Sequence, residues 1–412
     1  MDRAQDGECA TTSEERISLT IDDVASFEYL NEGNAHCVFE YRGPAHERGP
    51  RVRLERALLR VRKTQNNRRW QQSALDAAVW DLATRSDEDV GVGESWVAAD
   101  RRARDEFYRD APKLVSEVSD IEPCVVEFSS EFIAGLASKY DAAERLERRR
   151  RDGQSVDVAE RFGQLSRVAA RAHSCFSRTQ DVFLVEIKPK SGVAVTLDDG
   201  KEVSRYQLHQ RLKLARGERK MASAYDPLDL FSGDKLRIQT AISALFACPQ
   251  NNLRICDGDF NVLMDESGAK ANTSLDVIQA ALPGMIDASA DVFAHILRVQ
   301  SRDCIGYARA HVLAAELKDD LTNLTAADGA LLRDFVVSQI AKDCSVLFTV
   351  IIDNPVEDIN VRTAAFVDAA RQTHTCAFTP QIIDVSAKTL DKTGVWRALD
   401  DDILDLARAN EV

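Results

Sequence analysis

From Ile17 to Leu59 apolar and polar residues alternate over short stretches, which predicts strands joined by tight turns. The plainest case is FEYLNEGNAHCVFEYRG, residues 27–43. Its two alternating runs flank a small, polar, Gly-bearing bend, the pattern of a hairpin. ALLRVRK predicts a further strand. The period then lengthens, and residues 71–87, 131–150 and 159–173 carry helical spacing. DVFLVEIKPKSG reads as an apolar strand running into a Lys-Pro-Lys turn. Residues 204–216 predict an amphipathic helix with a basic face, and 226–247 start at Asp-Pro and continue as a helix. Long helical patterns cover 274–299, 305–317 and 326–341. CSVLFTVII is a buried strand, and FTPQIIDVS is a last strand leading into a terminal helix. Residues 1–16 read as a loose tail. A strand-rich front and a helix-rich rear predict an α+β protein of two lobes, with a smaller lobe over 1–170 and a larger mixed α/β lobe with added helices over 171–412.

Length and composition narrow the class. A chain of 412 residues suits two to four domains, or two unequal lobes around a cleft. Hydrophobic residues at 44% and charged residues at 29% are globular, not disordered, proportions. The 53 basic and 67 acidic residues leave a net charge of −14, which argues against a general nucleic-acid binder. No apolar run reaches 18 residues, so no membrane span is expected, and the polar, acidic start does not read as a secretory signal. Nine cysteines without a CxxC read as reduced thiols of a cytosolic or nuclear protein. His295, Cys304 and His311 fit no compact zinc pattern.

The acidic total hides local positive charge. Residues 51–70 hold eight basic residues and one acid, and Arg145 with Arg148 to Arg151 form a second cluster. Solvated surface is the ordinary reading of such runs. It is weaker for Glu186-Ile-Lys188-Pro-Lys190, where two lysines at i and i+2 share a direction and the proline stiffens the turn. Like charges held together on a rigid element call for a strongly anionic ligand. The bend Glu32-Gly33-Asn34-Ala35-His36 can close over phosphates through backbone N–H groups, and Arg60 or Lys63 on the following strand can meet a nucleotide phosphate. Asp343 stands before one apolar strand and Asp384 at the end of another, positions where metal-binding carboxylates of phosphoryl-transfer enzymes occur. Helix capping and surface turns are the alternatives for each aspartate singly. Pro249-Gln-Asn-Asn-Leu-Arg254 offers amides and a guanidinium to hydroxyls and phosphates, or serves as a plain turn.

EIKPKSG (186–192), RYQLHQRLK (205–213), YDPLDLFSG (225–233), PQNNLRI (249–255) and KDCS (342–345), with the EGNAH bend, follow one another in an order that resembles the inositol-pentakisphosphate 2-kinase family. The resemblance covers roughly residues 28–63 and 184–396. It implies a kinase-like fold and transfer of the ATP γ-phosphate to the 2-hydroxyl of inositol 1,3,4,5,6-pentakisphosphate, giving inositol hexakisphosphate. It further implies that Lys188, Lys190, Lys213, Asn251, Asn252, Arg254, Lys388, Lys392, Trp396 and Arg150 grip the inositol phosphates, with Lys188 and Asp343 catalytic. Asp384 and Asp343 would hold magnesium. Glu32, Gly33, Asn34, Ala35, His36, Arg60 and His173 would meet ATP. The chain departs from the family at His36, where asparagine is usual, at Trp396, where tyrosine is usual, and at Arg171-Ala172-His173, where the adenine hinge usually carries Asn-Asp-His.

The physics is consistent with that implication. Each phosphomonoester carries about −1.5 to −2 charges, so five give roughly −8 to −10 on one small ring. Six or more cations are needed to offset that, and the motifs supply them. The expected ligands are ATP, magnesium and an inositol phosphate, with no nucleic acid or membrane partner, in a monomer of the nucleus and cytoplasm. Two other classes stay open: an inactive relative that holds inositol hexakisphosphate, which the altered hinge favours, and a basic-groove RNA binder, which the lack of interleaved aromatics disfavours.

Overall fold

The computed structural model describes residues 17–32, 36–43, 57–64, 73–80, 96–112, 115, 124–143, 154–166, 182–270, 274–318, 320–353 and 361–409. The chain divides into two compact units, 1–70 with 122–170, and 71–121 with 171–412. The boundary at 170 is therefore not the whole division. Segment 71–121, expected in the first lobe, belongs to the second unit. Its helices α1 (Ala74–Val79) and α2 (Trp96–Tyr108) put Leu75, Val79, Ala103 and Phe107 into the larger core, which offers them a surface to bury against.

The first unit is a six-stranded sheet in the order β1-β5-β6-β4-β3-β2. Its strands are β1 (Ile17–Leu19), β2 (Phe27–Glu32), β3 (His36–Tyr41), β4 (Leu58–Arg62), β5 (Cys124–Phe128) and β6 (Phe162–Ser166), and helix α3 (Ser130–Ala142) packs on one face. The expected hairpin is present as the antiparallel pair β2–β3, with Phe27 opposite Tyr41 and Glu32 opposite Cys37. The helical spacing over 159–173 is overturned where it is described. Residues 162–166 form β6, filling the place between β4 and β5. A Cβ at Gly163 would collide with the Phe128 ring and stand 3.0 Å from the Arg60 carbonyl. That close approach suits a strand glycine and overrides a weak helical pattern.

The second unit is built on a seven-stranded sheet in the order β12-β11-β10-β7-β13-β15-β14. In chain order come β7 (Val182–Ile187), a small hairpin of β8 (Ala194–Thr196) and β9 (Glu202–Ser204), and helices α4 (Arg205–Ala215), α5 (Pro227–Leu230) and α6 (Lys235–Ala247). Then follow β10 (Leu253–Asp257), β11 (Val262–Asp265) and β12 (Gly268–Ala269), and four helices: α7 (Ser274–Asp287), α8 (Ala290–Gln300), α9 (Gly306–Leu317) and α10 (Ala326–Ala341). The chain closes with β13 (Ser345–Ile352), β14 (Arg362–Val367), β15 (Thr373–Ile383) and α11 (Thr393–Ala409). β7 and β13 are apolar on both faces because the sheet is central and covered.

Two helices expected as single pieces are broken. Residues 226–247 split at Gly233, whose φ of 70° lies in the left-handed region, and Asp234 then caps α6 by accepting from the Leu236 and Arg237 N–H groups. Residues 274–299 split before Ala290, and α7 and α8 meet at a 67° bend. Among the described residues no single helix is long and apolar enough to cross a membrane. The mixed α+β class holds for both units.

Candidate functional site

Strands β10, β7, β13 and β15 are neighbours and alternate in direction. That topology brings four separate segments to one end of the sheet. Residues 188–190 leave β7 there, 249–252 enter β10, 343–344 enter β13, and 384–388 leave β15. The register is exact in its pairing: Ile187 lies opposite both Leu253 and Val346, and Ser345 lies opposite Ile383. Alternation then turns Val185, Ile187, Leu253, Val346 and Phe348 to the large core on one face, while Glu186 and Arg254 point to the other. Arg254, Glu186 and Leu347 line up across the second face, where the Ser345 hydroxyl donates to Glu186 at 2.8 Å.

Charge collects at this end. Lys188 donates to Asp384 at 2.9 Å and lies 4.0 Å from Glu186. Lys190 is 3.9 Å from Asp343, and Lys388 donates to the other Asp343 oxygen. Burial opposes the Lys188 ammonium, but the Asp384 and Glu186 carboxylates outweigh it and raise its pKa. Burial lowers the pKa of Lys190, and Asp343 only partly opposes that against the neighbouring Lys188 and Lys388. Burial works to raise the Asp343 pKa, but Lys388 and Lys190 overcome it and hold the carboxyl well below the usual range. Asp343 is therefore an ionised carboxylate, 57% exposed, standing between two ammonium groups. Lys190 and Asp384 have φ of 62° and 63°, a left-handed conformation that costs about 1–3 kcal/mol per residue and persists only where its surroundings fix it.

Helix α4 adds a second bank of positive charge. The Lys213 charge acts on Lys190, and His209, one turn before Lys213, lies in the field of Lys213, Arg205, Lys190 and Arg216. Burial and these cations push the His209 imidazole down to about 4, so it is neutral near pH 7. Arg205 donates to Asp400 at 2.7 Å, and its guanidinium lies 4.9 Å from the Tyr307 ring centroid. Lys342, next to Asp343, lies 5.5 Å from the same ring and donates to Asp303 at 3.3 Å. The segment holding Lys388 is pinned on both sides by buried carboxylates. Asp100 accepts from the Ala387 N–H at 2.8 Å, and Asp76 accepts from the Leu390 N–H at 2.9 Å.

The structure thus brings Lys188, Lys190, Asp343, Asp384 and Lys388 into one cluster of ion pairs, and the Lys213 charge acts on Lys190. Asn251 is exposed at the same sheet end, Arg254 is half-buried on β10, and Lys392 is half-buried in the 3-10 turn Leu390–Lys392. Asn252 corrects the expectation. Its side chain is buried, donates to the Lys188 carbonyl at 3.0 Å and accepts from the Tyr206 hydroxyl at 3.0 Å. Its polar atoms are used within the frame, so it positions Lys188 and does not face a ligand. Trp396 packs on Phe335 with ring centroids 6.0 Å apart, so part of its ring serves the core. Arg150, His173, Gly33, Asn34 and Ala35 lie outside the described residues. His209, Asp76 and Asp100 escaped the reading of the sequence, since a neutral histidine or a lone aspartate on a helix carries no distinguishing pattern.

In the first unit, both ends of the Gly-bearing bend are described. Glu32 is not turned to solvent: Lys63 donates to it at 2.6 Å and Tyr140 at 2.7 Å. Lys63 also donates to Gln154 at 2.7 Å and is fully buried, so of the two cations expected to meet a phosphate it is a structural one. Arg60 Nη2 stands 2.9 Å from His36 Nδ1, and Arg62 Nη1 stands 3.3 Å from His36 Nε2. A neutral imidazole accepts at one nitrogen only, so it satisfies one guanidinium at a time.

The fold and this site define a mixed α+β protein with a cationic, carboxylate-bearing sheet end suited to a densely anionic small molecule. The family model for inositol-pentakisphosphate 2-kinase matches residues 29–402, and the chain belongs to that family. It is 27% identical over 286 residues to the inositol-pentakisphosphate 2-kinase of Oryza sativa subsp. indica, covering 58% of this chain and 64% of that relative. It is 41% identical over 128 residues to the inositol-pentakisphosphate 2-kinase of Arabidopsis thaliana, covering 28% of each chain. Against that of Danio rerio it is 41% identical over 97 residues, covering 22% of this chain and 20% of that relative. The chain spans less than two thirds of the length of each of these relatives.

Proposed function

We propose that the protein phosphorylates the 2-hydroxyl of inositol 1,3,4,5,6-pentakisphosphate with ATP as donor. The observation that carries this reading is the convergence of Lys188, Lys190, Lys388, Asp343 and Asp384 at one sheet end, from three segments far apart in sequence. Inositol phosphates displace the aspartates as partners of the lysines. Lys188, Lys190, Lys213 and Lys388 then bind phosphate, and Asp343 accepts a hydrogen bond from the acceptor hydroxyl and aligns it for in-line attack. An ionised carboxylate suits that task, because it can take the proton as the new O–P bond forms. Arg60 and the 32–36 bend would take the nucleotide phosphates.

The residues fit magnesium. Asp384 and Asp343 offer two carboxylates, and a magnesium ion in such enzymes completes its oxygen shell with substrate phosphates and water. Bound there, it would supply neutralisation of charge on the transferred group. Among the described residues no group of three or more His, Cys, Asp or Glu side chains is placed to hold a metal.

A second reading, ligand binding without turnover, is favoured by one contact. The Arg60 guanidinium, proposed for ATP, already meets His36. The deciding experiment is incubation with inositol pentakisphosphate and γ-labelled ATP, with analysis of the labelled position. Label at the 2-position, absent in Asp343→Ala, supports the kinase. Tight inositol phosphate binding with no label selects the second reading.

A further inference from the structure

Three consecutive carbonyls of the loop after β7 are each taken by a different buried side chain. Asn252 donates to Lys188 O at 3.0 Å, the Tyr225 hydroxyl to Pro189 O at 2.7 Å, and Gln300 Nε2 to Lys190 O at 2.8 Å. The three donors are 1%, 0% and 1% exposed. An irregular backbone segment buried at a sheet end needs such partners, because an unmade hydrogen bond there costs about 1–3 kcal/mol.

Gln300 differs from the other two. Its primary amide has two N–H groups and one carbonyl, and the fold uses all three. One N–H goes to Lys190 O, and Nε2 also donates to Ala341 O at 3.0 Å. Its Oε1 accepts from the Gly192 N–H at 2.8 Å. Ser338 donates to the Gln300 main-chain carbonyl at 2.7 Å, which ties the end of α8 to α10. Ala341 is the last residue of α10, two before Asp343, whose own N–H is held by Ile340 O at 3.0 Å. One side chain therefore joins the loop of Lys188 and Lys190 to the turn of Asp343. Left-handed Lys190 is the residue whose carbonyl it grips.

We propose that Gln300 is a positioning residue for phosphoryl transfer, its amide fixing the separation of Lys190 from Asp343. This rests on the kinase reading above. Substrate affinity is spread over several cations, so loosening one loop changes it little. Alignment of the attacking hydroxyl depends on the relation between the lysine loop and the aspartate, where a shift of about 1 Å can cost on the order of 100-fold in rate. Only an amide of this length supplies both donors and the acceptor. Methionine of similar shape supplies none. A glutamate carboxylate would accept from Gly192 but oppose both carbonyls, and once protonated it donates to one of them.

The test uses the full chain with Gln300→Met and Gln300→Glu, checking folding by circular dichroism. The measurements are kcat with inositol pentakisphosphate and ATP, and Kd for inositol pentakisphosphate alone by calorimetry. We expect kcat to fall about 10- to 100-fold while Kd stays within about threefold. We also expect Gln300→Glu, not Gln300→Met, to regain activity relative to wild type as the pH is lowered. Variant kcat within about twofold of wild type overturns the proposal, and so do kcat and affinity falling in proportion. Should Gln300→Met not fold, the pH recovery of Gln300→Glu decides, and its absence counts against the role. A wild-type chain without turnover sinks the kinase reading and this proposal together; an active wild type with unaffected variants sinks the positioning role alone.

Discussion

Lys188 and Asp384, 196 residues apart, meet at 2.9 Å because β7 and β15 flank β13 and end on the same side of it. Each partner neutralises the other in this ion pair, and under the proposed function anionic and cationic ligands would take their places. Replacing Asp384 by Asn removes one negative charge from the ligand's surroundings and one oxygen ligand from a metal. Inositol pentakisphosphate should then bind as tightly as to wild type or a few-fold tighter, while kcat falls at least about 100-fold. Lys188→Met should do the opposite to affinity and weaken it about tenfold or more. Calorimetry and steady-state kinetics on the two variants check this. Asp384→Asn with near-normal kcat would remove Asp384 from the reaction.

His209 should couple ligand binding to protons. In the free protein, burial and the surrounding Lys213, Arg205, Lys190 and Arg216 hold its pKa at about 4, below the ordinary 6.5. Phosphates arriving among these cations reverse the field and raise it. The bound state then holds more protons, so affinity rises as the pH falls from about 6.5 toward 4. For the unliganded fold the sign is opposite. A histidine with a depressed pKa contributes stability that is present above 6.5 and lost as the pH falls toward 4. Calorimetry in buffers of different ionisation heat should show proton uptake by wild type, reduced in His209→Gln. Identical uptake in the two would place the titrating group elsewhere.

Lys188 and His209 mark what the sequence disclosed and what it withheld. The lysines and aspartates of the site stood out because charge inside apolar text is rare, and because the strands that carry them are continuous apolar runs. His209 is one polar residue on a helix with other polar residues, and only the fold shows which way it faces. Asn252 was legible as a site residue but not as a buried one, since its direction depends on the turn into β10. The same contrast holds for the fold. The hairpin β2–β3 and strands β7 and β13 announce themselves by alternation or by apolar runs. β14, RTAAFV, is a short edge strand with two alanines and no strong pattern. β6 carries helical spacing, yet its partners β4 and β5, not its own residues, select the strand.

The buried pair Lys63–Glu32 offers a test confined to the first unit. Their separation is 2.6 Å; Lys63 also donates to Gln154, and Tyr140 and Tyr29 donate to Glu32. Removing Lys63 takes a cation away from the buried Glu32 carboxylate, whereas replacing both with apolar residues removes the two charges together. Lys63→Met should therefore destabilise the protein by about 3–5 kcal/mol. The double variant Lys63→Met/Glu32→Leu should be more stable than Lys63→Met alone. Urea unfolding of wild type, single and double variants measures both. Equal losses in single and double variants would mean the pair carries no coupling.

Gly192 sits where the lysine loop passes the ring of Phe231. A Cβ on residue 192 would collide with that ring, which itself packs edge-on against Phe293 with centroids 5.7 Å apart. The main-chain N–H of residue 192 meanwhile donates to Gln300. Gly192→Ala must therefore displace either the ring or the loop. Overpacking of this kind costs about 1–3 kcal/mol. If the ring yields, stability falls and turnover is kept; if the loop yields, the bond to Gln300 lengthens and turnover falls with it. Phe293 and the core behind it resist the ring's movement, so the loop should yield. Gly192→Ala is expected to lose kcat about tenfold or more, and Phe231→Leu added to it should restore much of that loss by opening the space. A Gly192→Ala protein with lowered melting temperature and unchanged kcat would show that the ring moves and that the loop keeps its place.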